Sequence, residues 1–133
     1  TVRKITVRLA PPADPATREV MRLATRSLER RLGSPIRFLE AGDGKAGVAV
    51  AMRERPDVVV TDEIASPAGG FALAKDLRGA AEPYPGVIVI LLDRRQDTWL
   101  ARWSGADAWF VKPVDPFALA DRLVELVTEK ESA

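Results

Sequence analysis

At 133 residues the chain has the length of one domain, and its 47% hydrophobic and 29% charged residues exclude a disordered chain. The net charge of +1 gives no overall field that would favour nucleic acid or a membrane surface. The chain has no cysteine and no histidine, which excludes disulfides, zinc–thiolate sites and hydrolases that use Ser-His-Asp or Cys-His groups.

The N-terminal half predicts two strands and two helices in alternation. Residues 3–9 alternate apolar and polar side chains and predict the first strand. Asp14 followed by Pro15 predicts the start of a helix over about 15–32, which Gly33 ends. A second strand is predicted over Ile36–Glu40. The second helix is predicted over 45–55, with an apolar side formed by Ala46, Ala49 and Val50.

The C-terminal half continues the alternation. Three further strands are predicted over Val58–Thr61, 87–92 and Ala108–Val111. Three further helices are predicted over about 70–79, over about 96–104, and after the cap-then-proline pair Asp115-Pro116. The whole chain, 1–133, is therefore predicted to be one α/β domain. Its core is a five-stranded, doubly wound parallel sheet with five helices and right-handed crossovers.

Two charged residues follow strands of this predicted sheet. Asp62 ends the third strand and Lys112 follows the fifth. Because ligands of such sheets bind at the carboxyl ends of the strands, both residues are predicted to lie at the functional crevice. An ion pair between them across the crevice is the simplest expectation.

Three segments carry a resemblance to a known family. They are RPDVVVTD at 55–62, Gly70 eight residues after Asp62, and SGADAWFVKPVDPFAL at 104–119. Together they resemble the receiver domain of bacterial two-component response regulators, which has the flavodoxin-like fold. The resemblance places Asp62 at the phosphoacceptor position and Trp109 at the switch-aromatic position. It also implies a cis Lys112-Pro113 bond that aims Lys112 at Asp62.

The sequence departs from this family at two places that matter for phosphorylation. The acidic residues that hold a divalent cation after the first strand are replaced by Leu9, Ala10 or Pro11, and Asp14 is interpreted as a helix cap. The hydroxyl that ends the fourth strand is replaced by Leu91 or Leu92. We therefore predict an atypical receiver, or pseudo-receiver, which is not an enzyme and needs no cofactor.

The predicted function is that of a stand-alone module that signals by protein–protein contact, largely independently of Asp62 phosphorylation. A stand-alone module is predicted because the chain ends soon after the last helix. Trp99, Trp103 and Trp109 are the interface candidates, because exposed tryptophans are frequent hot spots of binding. The partner is an unknown protein, with a histidine kinase or a second copy of the chain as candidates. Nucleic acid and membrane insertion are not expected, and neither a membrane span nor a signal peptide is evident, so a cytoplasmic location is predicted.

Two alternatives stay open. In the first, the chain is a phosphorylatable response regulator that receives a phosphoryl group on Asp62 from a histidine kinase and holds Mg²⁺ through Asp14 or Glu63. In the second, a small ligand binds in the altered acidic pocket, against Leu9, Pro11 and Leu92. A row of arginines on the first helix is interpreted as a solvated face, since Glu19 and Glu29 interleave with it.

Overall fold

The computed structural model describes residues 3–8, 15–41, 44–63 and 69–132. The strands are β1 (Arg3–Arg8), β2 (Ile36–Ala41), β3 (Val58–Asp62), β4 (Val87–Leu92) and β5 (Ala108–Val111). The helices are α1 (Pro15–Leu32), α2 (Gly44–Glu54), α3 (Gly70–Arg78), α4 (Thr98–Trp103) and α5 (Pro116–Ser132). A single 3₁₀ turn, Arg95–Asp97, leads into α4. The predicted alternation of strands and helices is confirmed.

All five described strands are parallel and lie in one sheet, in the order β2-β1-β3-β4-β5. The chain moves outward in both directions from the first strand, which makes the sheet doubly wound as predicted. In the register of β3 and β4, Asp62 lies opposite Leu91. In the register of β4 and β5, Leu92 lies opposite Val111. The carboxyl ends of β3, β4 and β5 therefore meet at one edge.

Two apolar cores cover the two faces of the sheet. One joins α1 and α5 to the sheet through side chains such as Met21, Leu28 and Leu123. The other joins α2, α3 and α4 to the opposite face through side chains such as Ala51, Leu77 and Ala101. Strand β4 contributes alternate residues to both cores, which explains why its sequence, VIVILL, is apolar without interruption.

The predicted inner side of α2 is wrong. Ala49 is exposed, whereas Gly47 and Ala51 are buried and Met52 packs against the second core. The sequence of α2 is a run of small residues and valines, so its hydrophobic periodicity gives little contrast between the two sides. Leu9, Ala10, Pro11 and Asp14 lie outside the described residues.

Helix ends follow local sequence signals. Asp115 accepts the N–H of Phe117 at 2.8 Å through Oδ1, which confirms the predicted cap at the start of α5. Gly33 adopts a φ of +66° directly after α1, a conformation that favours glycine. Within the described part of the chain, every helix is too short or too polar to cross a membrane.

Arg78, at the end of α3, joins three segments of the chain. Its Nη1 donates to the carbonyl oxygens of Tyr84 at 2.7 Å and Gly86 at 3.0 Å. Its Nε donates to the carbonyl oxygen of Gly105 at 3.0 Å, and its Nη2 donates to Asp107 Oδ2 at 2.6 Å. One guanidinium group thus ties α3 to the turns that precede β4 and β5, at the edge opposite the crevice.

Candidate functional site

Asp62 is the last residue of β3, and its side chain is only 3% exposed. Lys112 Nζ lies 2.7 Å from Asp62 Oδ1. Among the described residues, Lys112 is the partner of that oxygen, in a short ion pair. The Lys112-Pro113 bond is cis. The structure thus brings the two sequence-predicted crevice residues together.

Lys112 contacts a second carboxylate as well. Its Nζ donates to Asp93 Oδ1 at 3.5 Å, and its side chain is 22% exposed. Burial alone lowers the pKa of Lys112, but the contact with Asp62 and the charges of Asp62 and Asp93 raise it above its ordinary value. Lys112 is therefore a firmly charged cation between two carboxylates.

Leu91 occupies the position beside this pair. It lies opposite Asp62 in the register, is 1% exposed and packs in the core under α1 and α5. Leu92 points to the other face and packs in the core under α2, α3 and α4. Of the two residues that the sequence left open, Leu91 is therefore the neighbour of Asp62. Its side chain offers no hydrogen bond.

A cavity of about 290 Å³ adjoins the pair. Leu91 and Lys112 line it together with apolar side chains at the start of α1 and before α5, including Val20 and Val114. The predicted lining by Leu92 is wrong, because alternation along β4 turns Leu92 to the other face. Leu9 and Pro11 fall outside the described residues.

Glu63 is not directed to a ligand at the crevice. Glu63 is 6% exposed, and its Oε2 accepts the N–H of Asp93 at 2.5 Å and the N–H of Arg94 at 3.3 Å. These two residues form the turn between β4 and α4. The role of Glu63 in that turn was missed from the sequence, where it was considered only as a charge beside Asp62 or a metal ligand.

Asp97 completes this arrangement. Arg94 donates to both oxygens of Asp97 at 3.0 Å. Burial and then the neighbouring carboxyl group of Asp97 raise the pKa of Glu63. The hydrogen bonds from Arg94 and then the neighbouring carboxyl group of Glu63 lower the pKa of Asp97. Glu63 is therefore the first of the two carboxyl groups to accept a proton as the pH falls.

The residues around Asp62 do not fit a divalent cation, which wants several oxygen ligands. Glu63, the carboxylate next to Asp62 in the sequence, uses its carboxyl group in the β4–α4 turn. Nowhere in the described ranges do three acidic, histidine or cysteine side chains gather. The segment 9–13, which follows the first strand, contains no carboxylate in its sequence.

Gly70 opens α3 against the backbone of β3. A Cβ atom at this position would lie 2.3 Å from the carbonyl oxygen of Asp62 and 3.0 Å from Thr61 Cγ2. The N–H of Gly70 also donates to the carbonyl oxygen of Glu63 at 3.2 Å. Only glycine allows the helix to begin this close to the strand.

The three tryptophans differ in their surroundings. Trp99 and Trp103 on α4 are 63% and 57% exposed, and Lys75 Nζ of α3 lies 4.3 Å from the centre of the Trp103 ring. Trp109 on β5 packs partly against the second core, with the Arg102 guanidinium 5.7 Å from its ring centre. The structure therefore exposes two of the three predicted interface tryptophans and covers most of the third.

Comparison with known proteins shows relatives of similar length. A response regulatory protein of Mycobacterium tuberculosis is 35% identical over 112 residues, which cover 84% of this chain and 83% of that protein. Protein PilH of Pseudomonas aeruginosa is 37% identical over 79 residues, covering 58% of this chain and 65% of PilH. No model of a protein family matches the chain.

Solved structures agree in fold. A putative response regulator from Chloroflexus aurantiacus superposes with a TM-score of 0.77 at 16% identity, over 96% of this chain and 99% of that one. The receiver domain of a Pseudomonas aeruginosa sensor histidine kinase, with a magnesium ion in its active site cleft, superposes with a TM-score of 0.75 at 19% identity. The match covers 96% of this chain and 99% of that one. Three findings indicate the same family: the parallel sheet, the contact between Asp62 and Lys112, and the similarity to the Mycobacterium protein. The chain belongs to the response regulators of two-component signalling, and its domain is a receiver domain.

Proposed function

We propose that this chain is an atypical receiver that acts through protein–protein contacts largely independently of phosphorylation at Asp62. The observation that carries the proposal is Leu91. It lies opposite Asp62 at the end of β4, is buried, and shares a cavity with Lys112. In the family that this chain resembles, a hydroxyl at this place bonds the phosphoryl group and couples it to the rest of the domain.

Charge supports the same proposal. A phosphoryl group adds up to two negative charges and three strong acceptor oxygens to the residue that carries it. Among the described residues, Lys112 is the cation in contact with Asp62, and it is already shared with Asp93. Repulsion between like charges about 4 Å apart in a partly desolvated site costs on the order of several kcal/mol. Such a cost disfavours a stable acyl phosphate.

The partner surface in this proposal includes Trp99 and Trp103. Large aromatic side chains on a surface are hot-spot residue types, and these two stand on one side of a six-residue helix. A histidine kinase or a second copy of the chain is the candidate partner, and neither catalysis nor nucleic-acid binding is part of the proposal.

The main rival is a response regulator that accepts a phosphoryl group on Asp62 from a histidine kinase. A magnesium ion occupies the cleft of the sensor-kinase receiver domain of similar fold, which favours this rival by analogy. The donor set disfavours it, because Glu63 is engaged in the β4–α4 turn and the segment 9–13 contains no carboxylate in its sequence.

A small-ligand function is the second rival, and the cavity of about 290 Å³ beside Leu91 favours it. That volume suits a small apolar ligand with one anionic group near Lys112. A thermal-shift screen tests it, since a ligand that binds the folded state raises the melting temperature by an amount that grows with the logarithm of its concentration over Kd.

The decisive experiment treats the purified protein with acetyl phosphate, or with beryllofluoride, in millimolar Mg²⁺ and records the intact mass and tryptophan fluorescence. We expect no added phosphoryl group and no fluorescence response to Mg²⁺. The matched control is Asp62→Asn, which should behave as the wild type. A mass increase of one phosphoryl group that Asp62→Asn abolishes would establish the rival and refute the proposal.

A further inference from the structure

The turn between β4 and α4 is held by the side chain of the residue that follows β3. Glu63, directly after Asp62, accepts the N–H groups of Asp93 and Arg94 through one oxygen, at 2.5 and 3.3 Å. The N–H of Glu63 also donates to the carbonyl oxygen of Leu91 at 2.8 Å. The β3–β4 ladder thus extends past the strand end, and the Glu63 side chain begins from a fixed backbone.

The same carboxyl group reaches the start of α4. Arg94, whose N–H donates to Glu63, holds Asp97, the residue before the helix, by two side-chain hydrogen bonds of 3.0 Å. Asp97 itself caps no helical N–H with its side chain. A helix of six residues is too short to be stable alone, so α4 depends on such contacts for its position.

We infer that Glu63 fixes the orientation of α4, and with it the exposed Trp99 and Trp103, independently of the chemical state of Asp62. The carboxyl group of Glu63 is a permanent acceptor for the β4–α4 turn, located one residue from the phosphoacceptor position. A receiver with this contact presents its α4 surface in one arrangement at all times. The consequence for partner binding rests on the proposed function, whereas the contact of Glu63 with the turn does not.

Amide hydrogen exchange at Asp93 and Arg94, measured by NMR, tests the inference. Glu63→Ala removes the acceptor and should make both amides exchange about tenfold faster or more. Glu63→Gln should stay within about twofold of the wild type, because its amide oxygen accepts the same N–H groups and its NH₂ group donates to Asp97. Glu129→Ala, on the exposed side of α5, is the matched control and should change nothing.

A second variant guards against a folding defect in Glu63→Ala. Glu63→Asp keeps the carboxyl group but shortens its reach by one methylene, so it should also accelerate exchange at Asp93 and Arg94. Slow exchange of the β4 amides in the same spectra confirms that the variant is folded. Unchanged protection at Asp93 and Arg94 in both variants would overturn the inference.

The indole signals of the tryptophans separate this inference from the proposed function. Glu63→Ala should shift the signals of Trp99 and Trp103, whereas Asp62→Asn should leave them in place. Equal shifts in both variants would contradict the inference that Glu63, and not Asp62, sets α4. Phosphorylation of Asp62 in the acetyl phosphate experiment would instead refute the proposed function, with the exchange result at Asp93 and Arg94 unaffected.

Discussion

Lys112 Nζ lies 2.7 Å from the buried Oδ1 of Asp62, and the same ammonium reaches Asp93 at 3.5 Å. Removing the cation leaves a carboxylate in a site where its side chain is 3% exposed. We expect Lys112→Met to lower the free energy of unfolding by roughly 2 kcal/mol, since an unpaired buried charge is costly while the methionine keeps the aliphatic packing. Urea unfolding measures this change.

The double variant Asp62→Asn with Lys112→Met is the control for that prediction. It removes the carboxylate together with its cation, so it should regain a large part of the lost stability. A double variant as unstable as Lys112→Met would show that the lysine stabilises the domain through its packing and not through Asp62.

Leu91→Thr is expected to destabilise the domain without restoring a response to phosphorylation. The shorter side chain leaves a space and places a hydroxyl in the core under α1 and α5, at a cost of roughly 2–3 kcal/mol. Beryllofluoride should still produce no change in tryptophan fluorescence, because the ligands for a cation are not supplied by this substitution. Leu92→Thr, in the opposite core, is the matched control for the loss of stability.

Arg78→Ala should cost roughly 3 kcal/mol of unfolding free energy, because it removes this donor from three carbonyl oxygens and the guanidinium from Asp107, which keeps the N–H of Ile88 as a donor. The exposed pair of Arg122 with Glu125 offers the comparison, and Arg122→Ala should cost under about 0.5 kcal/mol. Urea unfolding measures both costs from the shift of the midpoint, provided that the dependence of the unfolding free energy on urea concentration is unchanged. Equal costs for the two substitutions would refute the structural role assigned to Arg78.

Stability should fall at alkaline pH through Tyr84, the single tyrosine of the chain. Burial, followed by the charge of Asp57, raises the pKa of Tyr84 far above its ordinary value of 10.0, and its hydroxyl donates to the Pro56 carbonyl oxygen at 2.6 Å. The unfolded chain releases this proton near pH 10.0 and the folded chain does not. The contribution of Tyr84 to the free energy of unfolding is therefore fully present below that pH and is lost progressively above it.

Absorbance of the tyrosinate, recorded against pH for native and denatured protein, checks that prediction. Tyr84→Phe should flatten the alkaline loss of stability, although it also removes the hydrogen bond to Pro56. The pKa of Lys112 is shifted in the same direction, so it adds a further loss of stability as the pH rises above 10.5. Lys112→Met removes this second contribution and leaves that of Tyr84. Ordinary titration of native Tyr84 near pH 10.0 would contradict its burial.

Trp103→Ala should leave the fold intact and weaken association of the domain with its partner, or with itself, by about 2 kcal/mol or more. Phe117→Ala is a matched control, since Phe117 is likewise 57% exposed but lies on α5. Analytical ultracentrifugation and binding assays compare both with Asp62→Asn, for which no effect is expected. An association that Asp62→Asn abolishes and Trp103→Ala preserves would contradict a constitutive module.

Much of the fold follows from signals that are local in sequence. Pro15 and Gly33 mark the two ends of α1, Asp115 caps α5, and the apolar run at 87–92 is β4, an interior strand of the sheet. The inner side of α2 did not follow, because its small residues differ little in hydrophobicity. Its orientation is decided by packing against α3 and the sheet, which a pattern of single residues does not encode.

The candidate site, like the fold, could be predicted from the sequence only in part. Asp62 and Lys112 were predicted to meet because both follow strands that end at one edge, and geometry alone brings them together. The partners of Glu63 were not predicted. A carboxyl group one residue away can reach the crevice or the next turn, and the choice depends on where the N–H groups of Asp93 and Arg94 lie in three dimensions.

The contact between Gly70 and the backbone of β3 has a consequence for how receiver sequences are interpreted. A side chain at position 70 would collide with the carbonyl oxygen of Asp62 whether or not that residue is ever phosphorylated. The requirement for glycine at this position therefore comes from folding and does not depend on phosphotransfer. The glycine eight positions after Asp62 therefore reports the packing of α3 against β3, and the signalling chemistry has to be judged from Leu91 and the segment 9–13.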